Sequence, residues 1–196
     1  MPGQIKIDDG AGNYTVLTNG GSLGSDKTIT IPNTTGTMAL TSDISAGGLE
    51  AAQQFRLTAN ITTNGTNVIS TNISAPSNLS FGSKGSLVSE SSGIFSFSET
   101  GFYMVNVSAM VGGGKQCHII TQVTTDDTNY TDVAGAGTLS DTSGVRGGSS
   151  SCILDITDIT NMKVKFSSYM QFAGATIYGS TTANNSVFTF LKLGET

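Results

Sequence analysis

The feature that most constrains the fold of this chain is the alternation of apolar and polar side chains between residues 93 and 111. This stretch reads GIFSFSETGFYMVNVSAMV. Phe95 and Phe97 fall on one face of an extended segment, and Ser-Glu-Thr-Gly then interrupts the pattern as a turn does. From Tyr103 to Val111, apolar side chains recur at every second position. A period of two predicts a strand with one buried face, so this stretch predicts two strands joined by a turn.

The same alternation returns at short intervals along the rest of the chain. Five further segments have the length and pattern of strands: residues 116–125, 151–158, 162–169, 175–180 and 185–193. The composition agrees with this, because only 12% of the residues are charged and the common helix formers are scarce. Short strands separated by polar turns predict an all-β fold, either a sandwich or a barrel.

The last of these segments has large apolar side chains on both faces. One face carries Phe188 and Phe190, whereas the other carries Val187, Leu191 and Leu193. In a single sandwich only one face of each strand is buried, so a second apolar face predicts burial against a sister subunit. We therefore expect a homo-oligomer with Val187, Leu191 and Leu193 in the interface. A strand buried entirely inside its own subunit is the alternative.

Residues 1–43 differ in character from the rest of the chain. They contain three short apolar segments, at residues 5–7, 14–17 and 28–40, and none is long enough to build a domain. In the third segment a proline follows a strand-like stretch, and proline lacks the N–H that an internal strand needs. We therefore expect an arm for attachment to another body. The predicted attachment residues are Ile29, Ile31, Pro32, Met38 and Leu40.

These observations divide the sequence into three parts. Residues 1–45 are the N-terminal attachment arm, residues 46–54 a linker with a short helix, and residues 55–196 the head domain. The helix prediction rests on Leu-Glu-Ala-Ala-Gln-Gln-Phe at residues 49–55, where good helix formers follow one another.

Charge and hydropathy argue against several classes of function. The formal net charge is −5 and no Lys/Arg cluster occurs, whereas proteins that bind nucleic acid carry a basic surface. The N-terminus lacks the positive and apolar regions of a signal peptide. No apolar run approaches the roughly 18 residues that span a bilayer. We expect neither a nucleic-acid partner nor membrane insertion.

The titratable residues offer no recognisable catalytic site. Cys117 and His118 are adjacent, and adjacent side chains of a strand point to opposite faces, so they cannot form a nucleophile–base pair. Cys117 and Cys152 fit buried free thiols better than a disulfide, although a disulfide stays open. Asp-rich segments at residues 8–13 and 124–132 could contribute to a calcium site, but ordinary Asx turns have the same composition. We expect no enzymatic activity, no metal and no cofactor.

Three segments in order resemble a known fold family. They are FSFSETGFYMVNVSAMV (95–111), SSCILDITDITNMKVKF (150–166) and SVFTFLKLG (186–194). In the tumour necrosis factor-like jelly roll, an aromatic strand passes through a Gly turn into a Tyr-containing strand, and a Phe/Leu-rich strand closes the domain. The three segments are similar to this pattern. The globular heads of the first complement component share that fold. The resemblance covers about residues 50–194. It implies a ten-strand jelly-roll sandwich assembled as a homotrimer, with the last strand near the threefold axis.

A second resemblance lies in the arm. The sequence SDKTITIPNTTGTMALTSD (25–43) resembles the segment that precedes the terminal domain in many bacteriophage fibre proteins. It implies a structural virion protein, either a short trimeric fibre or a surface-decoration protein. The arm would dock on another virion protein and the head would project outward. Location on the head or the tail of the particle stays open. A soluble adhesion or glycan-binding module of the same fold is the alternative.

Two Gly-rich polar segments, residues 135–150 and 179–186, read as long loops. Rigid β scaffolds often present such loops for recognition. Asp141 and Arg146 are their only charged residues, and the planar guanidinium of Arg146 suits carboxylates or sugar acids. We expect a candidate receptor loop with Asp141 and Arg146, for a glycan or protein of the host surface. A solvated loop without a ligand is the alternative.

Overall fold

The computed structural model describes residues 5–8, 10–11, 14–17, 49, 51–78, 81–113, 116–138 and 144–196. The chain divides into two compact units, Met1–Ser45 and Ala46–Thr196. In the first unit, strands β1 (Ile5–Asp8) and β2 (Tyr14–Leu17) pair as an antiparallel hairpin. The five predicted attachment residues of the arm lie outside the described residues: Ile29, Ile31, Pro32, Met38 and Leu40.

The described part of the second unit is built from β-strands. Its first six strands are β3 (Ala51–Leu57), β4 (Gly65–Val68), β5 (Ile73–Ser74), β6 (Val88–Ser91), β7 (Ile94–Phe97) and β8 (Gly101–Gly112). The next six are β9 (Cys117–Thr124), β10 (Tyr130–Thr138), β11 (Arg146–Ile156), β12 (Lys163–Met170), β13 (Thr176–Ile177) and β14 (Val187–Gly194). Each segment in which alternation predicted a strand contains one. The described residues include no helix with the length and apolarity to cross a membrane.

The strands of the second unit form two antiparallel sheets. The first sheet has the order β10-β9-β12-β7-β6, and β4 also pairs with β12. The second sheet has the order β11-β8-β14-β3-β5, and β13 pairs with the end of β8. Consecutive strands such as β8 and β9 belong to different sheets, so the chain crosses repeatedly between the two layers. This arrangement confirms the prediction of an all-β sandwich.

Phenylalanine rings from both sheets fill the space between them. Phe95 and Phe166 come from the first sheet, whereas Phe55, Phe188 and Phe190 come from the second. The ring centroids of Phe166 and Phe188 lie 4.2 Å apart, and those of Phe95 and Phe190 lie 5.1 Å apart. Each such pair contributes about 0.5–1.5 kcal/mol beyond the burial of its area. The core therefore fixes one sheet on the other and supports the surface residues rigidly.

The predicted short helix within residues 46–54 is wrong where the structure describes this segment. Residues 51–54 belong to strand β3, which pairs with β14 from Ala51 to Arg56. Phe55 of this strand packs in the core. Helix propensity is a weak preference over so short a run, and the ladder of hydrogen bonds with β14 overrides it.

The Gly-rich segment 135–150 is not one long loop, as the sequence suggested. β10 extends to Thr138 and β11 begins at Arg146, so only residues 139–145 connect the two strands. The glycines allow the edges of the two sheets to touch, because a Cβ on Gly148 would lie 2.5 Å from the carbonyl oxygen of Gly137. The other Gly-rich segment, residues 179–186, contains no strand and is a loop, as predicted.

Candidate functional site

The outward side of the second sheet carries the candidate interaction surface. Cross-strand register places Ile153 of β11, Met104 of β8, Leu191 of β14 and Ala52 of β3 side by side in one row. Tyr103, the neighbour of Met104 in sequence, is buried in the core. Because successive side chains of a strand alternate between faces, the row of Met104 faces away from the core.

Two further apolar side chains extend this row toward one end of the sheet. Phe102 precedes Met104 by two residues on β8, and Leu193 follows Leu191 by two on β14. Ile153 is 64% exposed, Leu193 49% and Phe102 39%. Phe102, Met104, Ile153, Leu191 and Leu193 together form the apolar patch. Contiguous exposed apolar surface of this kind is typical of a protein–protein interface.

The three predicted interface residues of β14 differ in exposure. Val187 is only 9% exposed within its own subunit. Leu191 is half-buried and Leu193 is exposed. Phe188 and Phe190 point into the core, as the alternation predicts. The free apolar area of β14 therefore lies at its C-terminal end, and Val187 has little surface left for a sister subunit to cover.

A buried lysine holds the C-terminal end of β14 in place. The Nζ of Lys192 lies 3.0 Å from Glu99 Oε2 and 2.6 Å from Glu195 Oε1, and its side chain is 1% exposed. A buried ammonium group needs such partners because its removal from water is costly. The two ion pairs tie the last strand to the β7–β8 turn and to the chain end. They fix the backbone on both sides of Leu193.

A polar row separates the apolar patch from the opposite end of the sheet. Register aligns Ser151, Asn106, Thr189 and Gln54 across β11, β8, β14 and β3. The Nε2 of Gln54 donates a hydrogen bond to Thr189 Oγ1 at 3.4 Å. The outward face of the sheet therefore changes from apolar to polar along the direction of its strands.

A cleft of about 340 Å³ lies beyond this polar row. Three segments line it: residues 108–110 of β8, residues 145–147 at the start of β11, and residues 184–185 of the loop before β14. The structure thus brings together the two segments that the sequence singled out for recognition, 135–150 and 179–186. The two segments meet at the start of β11 rather than at the tip of a long loop.

Arg146 is the charged side chain of this cleft. Its side chain is exposed, and it has no ion-pair partner among the described residues. Asp141, the other charged residue of the predicted receptor loop, lies outside the described residues. In the described part of the chain, therefore, no carboxylate competes with a ligand for the guanidinium donors of Arg146.

Hydrogen bonds hold the opposite wall of the cleft. The backbone N–H of Gly179 donates to Asn60 Oδ1 at 3.0 Å, which fixes the start of the loop. The Nδ2 of Asn184 donates to Gln54 Oε1 at 3.2 Å, whereas the Oδ1 of Asn184 is buried and has no hydrogen-bond partner among the described residues. These bonds link the loop to β3 and to the segment that follows it. The wall is therefore pre-formed rather than dependent on a ligand.

Cys117 and His118 point to opposite faces of β9, as predicted. Cys117 is fully buried, and burial raises the pKa of its thiol to about 11. The ring of His118 lies on the other face, 4.8 Å from the ring of Tyr169. Burial lowers the pKa of His118 below its ordinary value, and the charge of Asp132 opposes this shift. Since thiolate is the reactive form, Cys117 is inert at neutral pH.

The two cysteines are not bonded to each other. Both Cys117 and Cys152 are free thiols, as predicted, although Cys152 is only half-buried. Burial raises the pKa of the Cys152 thiol as well. These side chains therefore contribute to packing rather than to a covalent crosslink.

The Asp-rich segment 124–132 forms a hydrogen-bonded turn. The Oδ1 of Asp126 accepts hydrogen bonds from the backbone N–H groups of Thr128 and Asn129, at 3.0 Å and 2.7 Å. Its Oδ2 accepts from Asn129 Nδ2 at 2.7 Å. These bonds match the Asx-turn alternative to a calcium site. No group of three or more His, Cys, Asp or Glu side chains in the described part of the chain could hold a metal ion.

Alternation along single strands predicts only part of the apolar patch. It identified Leu191 and Leu193 from their own strand, but not Phe102, Met104 or Ile153. A signal was present, because each of these three side chains alternates with residues assigned to the buried face. Large apolar residues at the outward positions of neighbouring strands predict one shared apolar surface. Only the register between β11, β8 and β14 shows that they are adjacent.

No protein-family model matches this chain, and no curated protein sequence matches it. Solved structures do match. Murine APRIL has a TM-score of 0.55 at 9% identity, over 73% of this chain and 98% of that one. Eiger TNF from S. frugiperda has a TM-score of 0.51 at 13% identity, over 74% of this chain and 93% of that one.

The PRD1 vertex protein P5 also matches, at 14% identity over 76% of this chain and the whole of its own. Its TM-score of 0.48 is too low to support an argument. At the identities of APRIL and Eiger, a structural likeness shows the fold alone. The second unit therefore has the fold of the tumour necrosis factor-like jelly rolls, as the sequence resemblance implied.

Proposed function

We propose that this chain is a structural protein of a bacteriophage virion, a short homotrimeric fibre or surface-decoration protein. The N-terminal arm docks on another virion protein, and the jelly-roll head projects outward. The observation that carries this proposal is the apolar patch, because a single subunit would leave it in water. The protein acts by assembly and binding rather than by catalysis.

Self-association is the simplest way to cover the apolar patch. Ile153, Leu193 and Phe102 are each at least one-third exposed. Complete burial of such a side chain is favourable by up to about 1.5–3 kcal/mol, before the entropic cost of association. Most soluble oligomers are closed symmetric assemblies of one chain. The resemblance to tumour necrosis factor-like jelly rolls supports threefold symmetry, with β14 and its Leu191 near the axis.

The virion assignment is supported by the sequence of the arm. Residues 25–43 resemble the segment that precedes the terminal domain of phage fibre proteins. We assign docking to Ile29, Ile31, Pro32, Met38 and Leu40 of this segment. A strand-forming segment of this kind can add to an exposed sheet edge of a partner protein, where backbone hydrogen bonds provide affinity.

A soluble adhesion or glycan-binding module is the second candidate. The cleft beside Arg146 favours it, since such a module needs a binding site but no docking arm. The two candidates differ in what residues 1–45 do. A virion protein requires them for incorporation, whereas a free module binds its ligand without them.

Particle incorporation tests this difference. Ile29→Asp combined with Ile31→Asp should reduce the number of copies in purified particles, because charge replaces the apolar face of the docking strand. Thr28→Asp with Thr30→Asp is the matched control, since it adds the same charge to the alternate face and should incorporate normally.

Two outcomes would contradict the virion assignment. One is a normal copy number in particles for the Ile29→Asp, Ile31→Asp variant. The other is recovery of the unchanged protein wholly in the soluble fraction, with none in particles. The second result would support the soluble module.

A further inference from the structure

The cleft at the polar end of the second sheet has the size and the composition of a ligand site. Its volume of about 340 Å³ falls at the lower end of the range for small-molecule sites, roughly 300–1,000 Å³. It lies four to six residues along β8 from Met104, on the far side of the polar row. An association confined to the apolar patch would leave the cleft outside the contact.

The charge of the cleft favours an anionic ligand. Arg146 is its charged side chain, and no described carboxylate pairs with it. The chain as a whole carries a net charge of −5, so a cation without an ion-pair partner among the described residues contrasts with the net charge of the molecule. A guanidinium presents two parallel N–H donors that match the two oxygens of a carboxylate.

The remaining polar groups of the cleft are uncharged. Ser108 contributes a hydroxyl and Asn185 an amide, whereas the amide of Asn184 is bonded to Gln54 through its Nδ2 and is buried at its Oδ1. Hydroxyl and amide groups both donate and accept hydrogen bonds, which suits the hydroxyls of a sugar ring. Met110 and Val145 provide apolar wall, against which the C–H face of a pyranose can pack.

We propose that this cleft binds an acidic sugar, a pyranose that carries a carboxylate, as one unit of a surface glycan. Arg146 binds the carboxylate, and Ser108 and Asn185 bind ring hydroxyls. This inference rests on the proposed outward position of the head, and it assigns that head a recognition site. The residues that line the cleft belong to one subunit, so ligand binding does not depend on assembly. The ligand proposal and the assembly proposal can therefore fail separately.

Binding titrations followed by NMR test the proposal on the full-length protein. Glucuronate, galacturonate and N-acetylneuraminate are the acidic probes. Glucose is the neutral match for glucuronate, and acetate supplies the carboxylate without the ring. We expect an acidic sugar to bind at least about tenfold more tightly than both glucose and acetate. Arg146→Gln should weaken that binding by about tenfold or more, because a charge-assisted pair is lost.

Lys84→Gln is the matched control, because it also removes one positive charge but does not line the cleft. It should bind like the unchanged protein. Three results would overturn the proposal. The first is no binding of any acidic sugar, and the second is unchanged binding by Arg146→Gln. The third is binding of acetate as tight as that of the acidic sugars, which would show an adventitious ion only. Preferential binding of a tri-glutamate peptide would also overturn it. The molar mass of each variant, measured in the same buffer, reports separately on assembly.

Discussion

At the scale of single residues, two aspartates shape one end of the first sheet. Asp126 and Asp158 each begin the sequence Asp-x-Thr-Asn, and each accepts hydrogen bonds from the backbone N–H groups two and three residues later. The backbone N–H of Asp127 donates to the carbonyl of Asn161, which joins the two turns. Lys163 adds an ion pair to Asp127 at 2.9 Å. The two turns therefore stabilise each other.

These turns predict a dependence of stability on pH. Hydrogen bonds from Asn129 and Thr128 hold the pKa of Asp126 well below its usual range, and bonds from Asn161 and Thr160 lower that of Asp158. A carboxylate with a lowered folded-state pKa stabilises the protein above its unfolded pKa of about 3.9, and that contribution is lost as the pH falls further. Asp126→Asn should therefore destabilise the protein clearly at pH 6 and much less at pH 2.

Urea unfolding of both proteins at each pH measures this difference. Asp155→Asn is the control, because Asp155 is an exposed carboxylate on β11; it lies opposite Phe102 of the apolar patch, so the molar mass of this variant is compared with that of the unchanged protein. It should show little effect at either pH. A penalty for Asp126→Asn that is the same at pH 6 and pH 2 would contradict the role of the ionised carboxylate.

At the scale of elements, glycine sets the distance between strands β10 and β11. These strands are the edges of different sheets, and they meet where Gly137 faces Gly148. A Cβ on Gly148 would lie 2.5–2.8 Å from backbone atoms of Gly137, which cannot move aside as a side chain can. A Cβ on Gly147, one residue away, would meet only Ala109 O at 3.9 Å. One side of the sandwich therefore depends on Gly148.

This geometry predicts that two adjacent substitutions behave differently. Gly148→Ala should lower the free energy of unfolding by about 1–3 kcal/mol, the usual cost of overpacking. Gly147→Ala should change it by less than about 0.5 kcal/mol, as at an ordinary surface position. Urea unfolding measures both. Equal effects of the two substitutions would show that the close approach of β10 and β11 does not limit stability.

Alternation was sufficient to predict strands where one face of the strand packs in the core. Residues 103–111 are the clearest example, because their inward side chains, Tyr103, Val105, Val107, Ala109 and Val111, are uniformly apolar and buried. The sequence of β3 predicts a helix because Ala and Gln have high helix propensity. Its pairing with β14 leaves no signal in that local sequence. The glycines within residues 135–150 indicated a loop, although Gly137 and Gly148 allow strands β10 and β11 to approach closely. Neither error can be avoided from local pattern alone, because the deciding partners are distant in sequence.

At the scale of the whole molecule, the second sheet presents two different surfaces on one face. The apolar patch lies at the end that contains Leu191 and Leu193, and the cleft with Arg146 lies at the other. The apolar residues on both sides of β14 place Leu191 and Leu193 of the apolar patch on its outward face from the sequence alone. Ile153 and Phe102 could not be added to the patch in that way, because they join it only through the register between strands. The proposed assembly uses one end of this face, and the proposed ligand site uses the other.

The molar mass of the protein in solution tests the central claim, assembly through the apolar patch. Sedimentation equilibrium of the full chain, whose protomer mass is 20.1 kDa, should give three times that mass. Leu191→Asp should give monomer, because association would bury an unpaired charge at a cost of several kcal/mol. Val68→Asp is the matched control, since Val68 is 47% exposed on β4 of the first sheet, and it should remain trimeric. A monomeric unchanged protein, or a Leu191→Asp trimer of unchanged stability, would contradict the account.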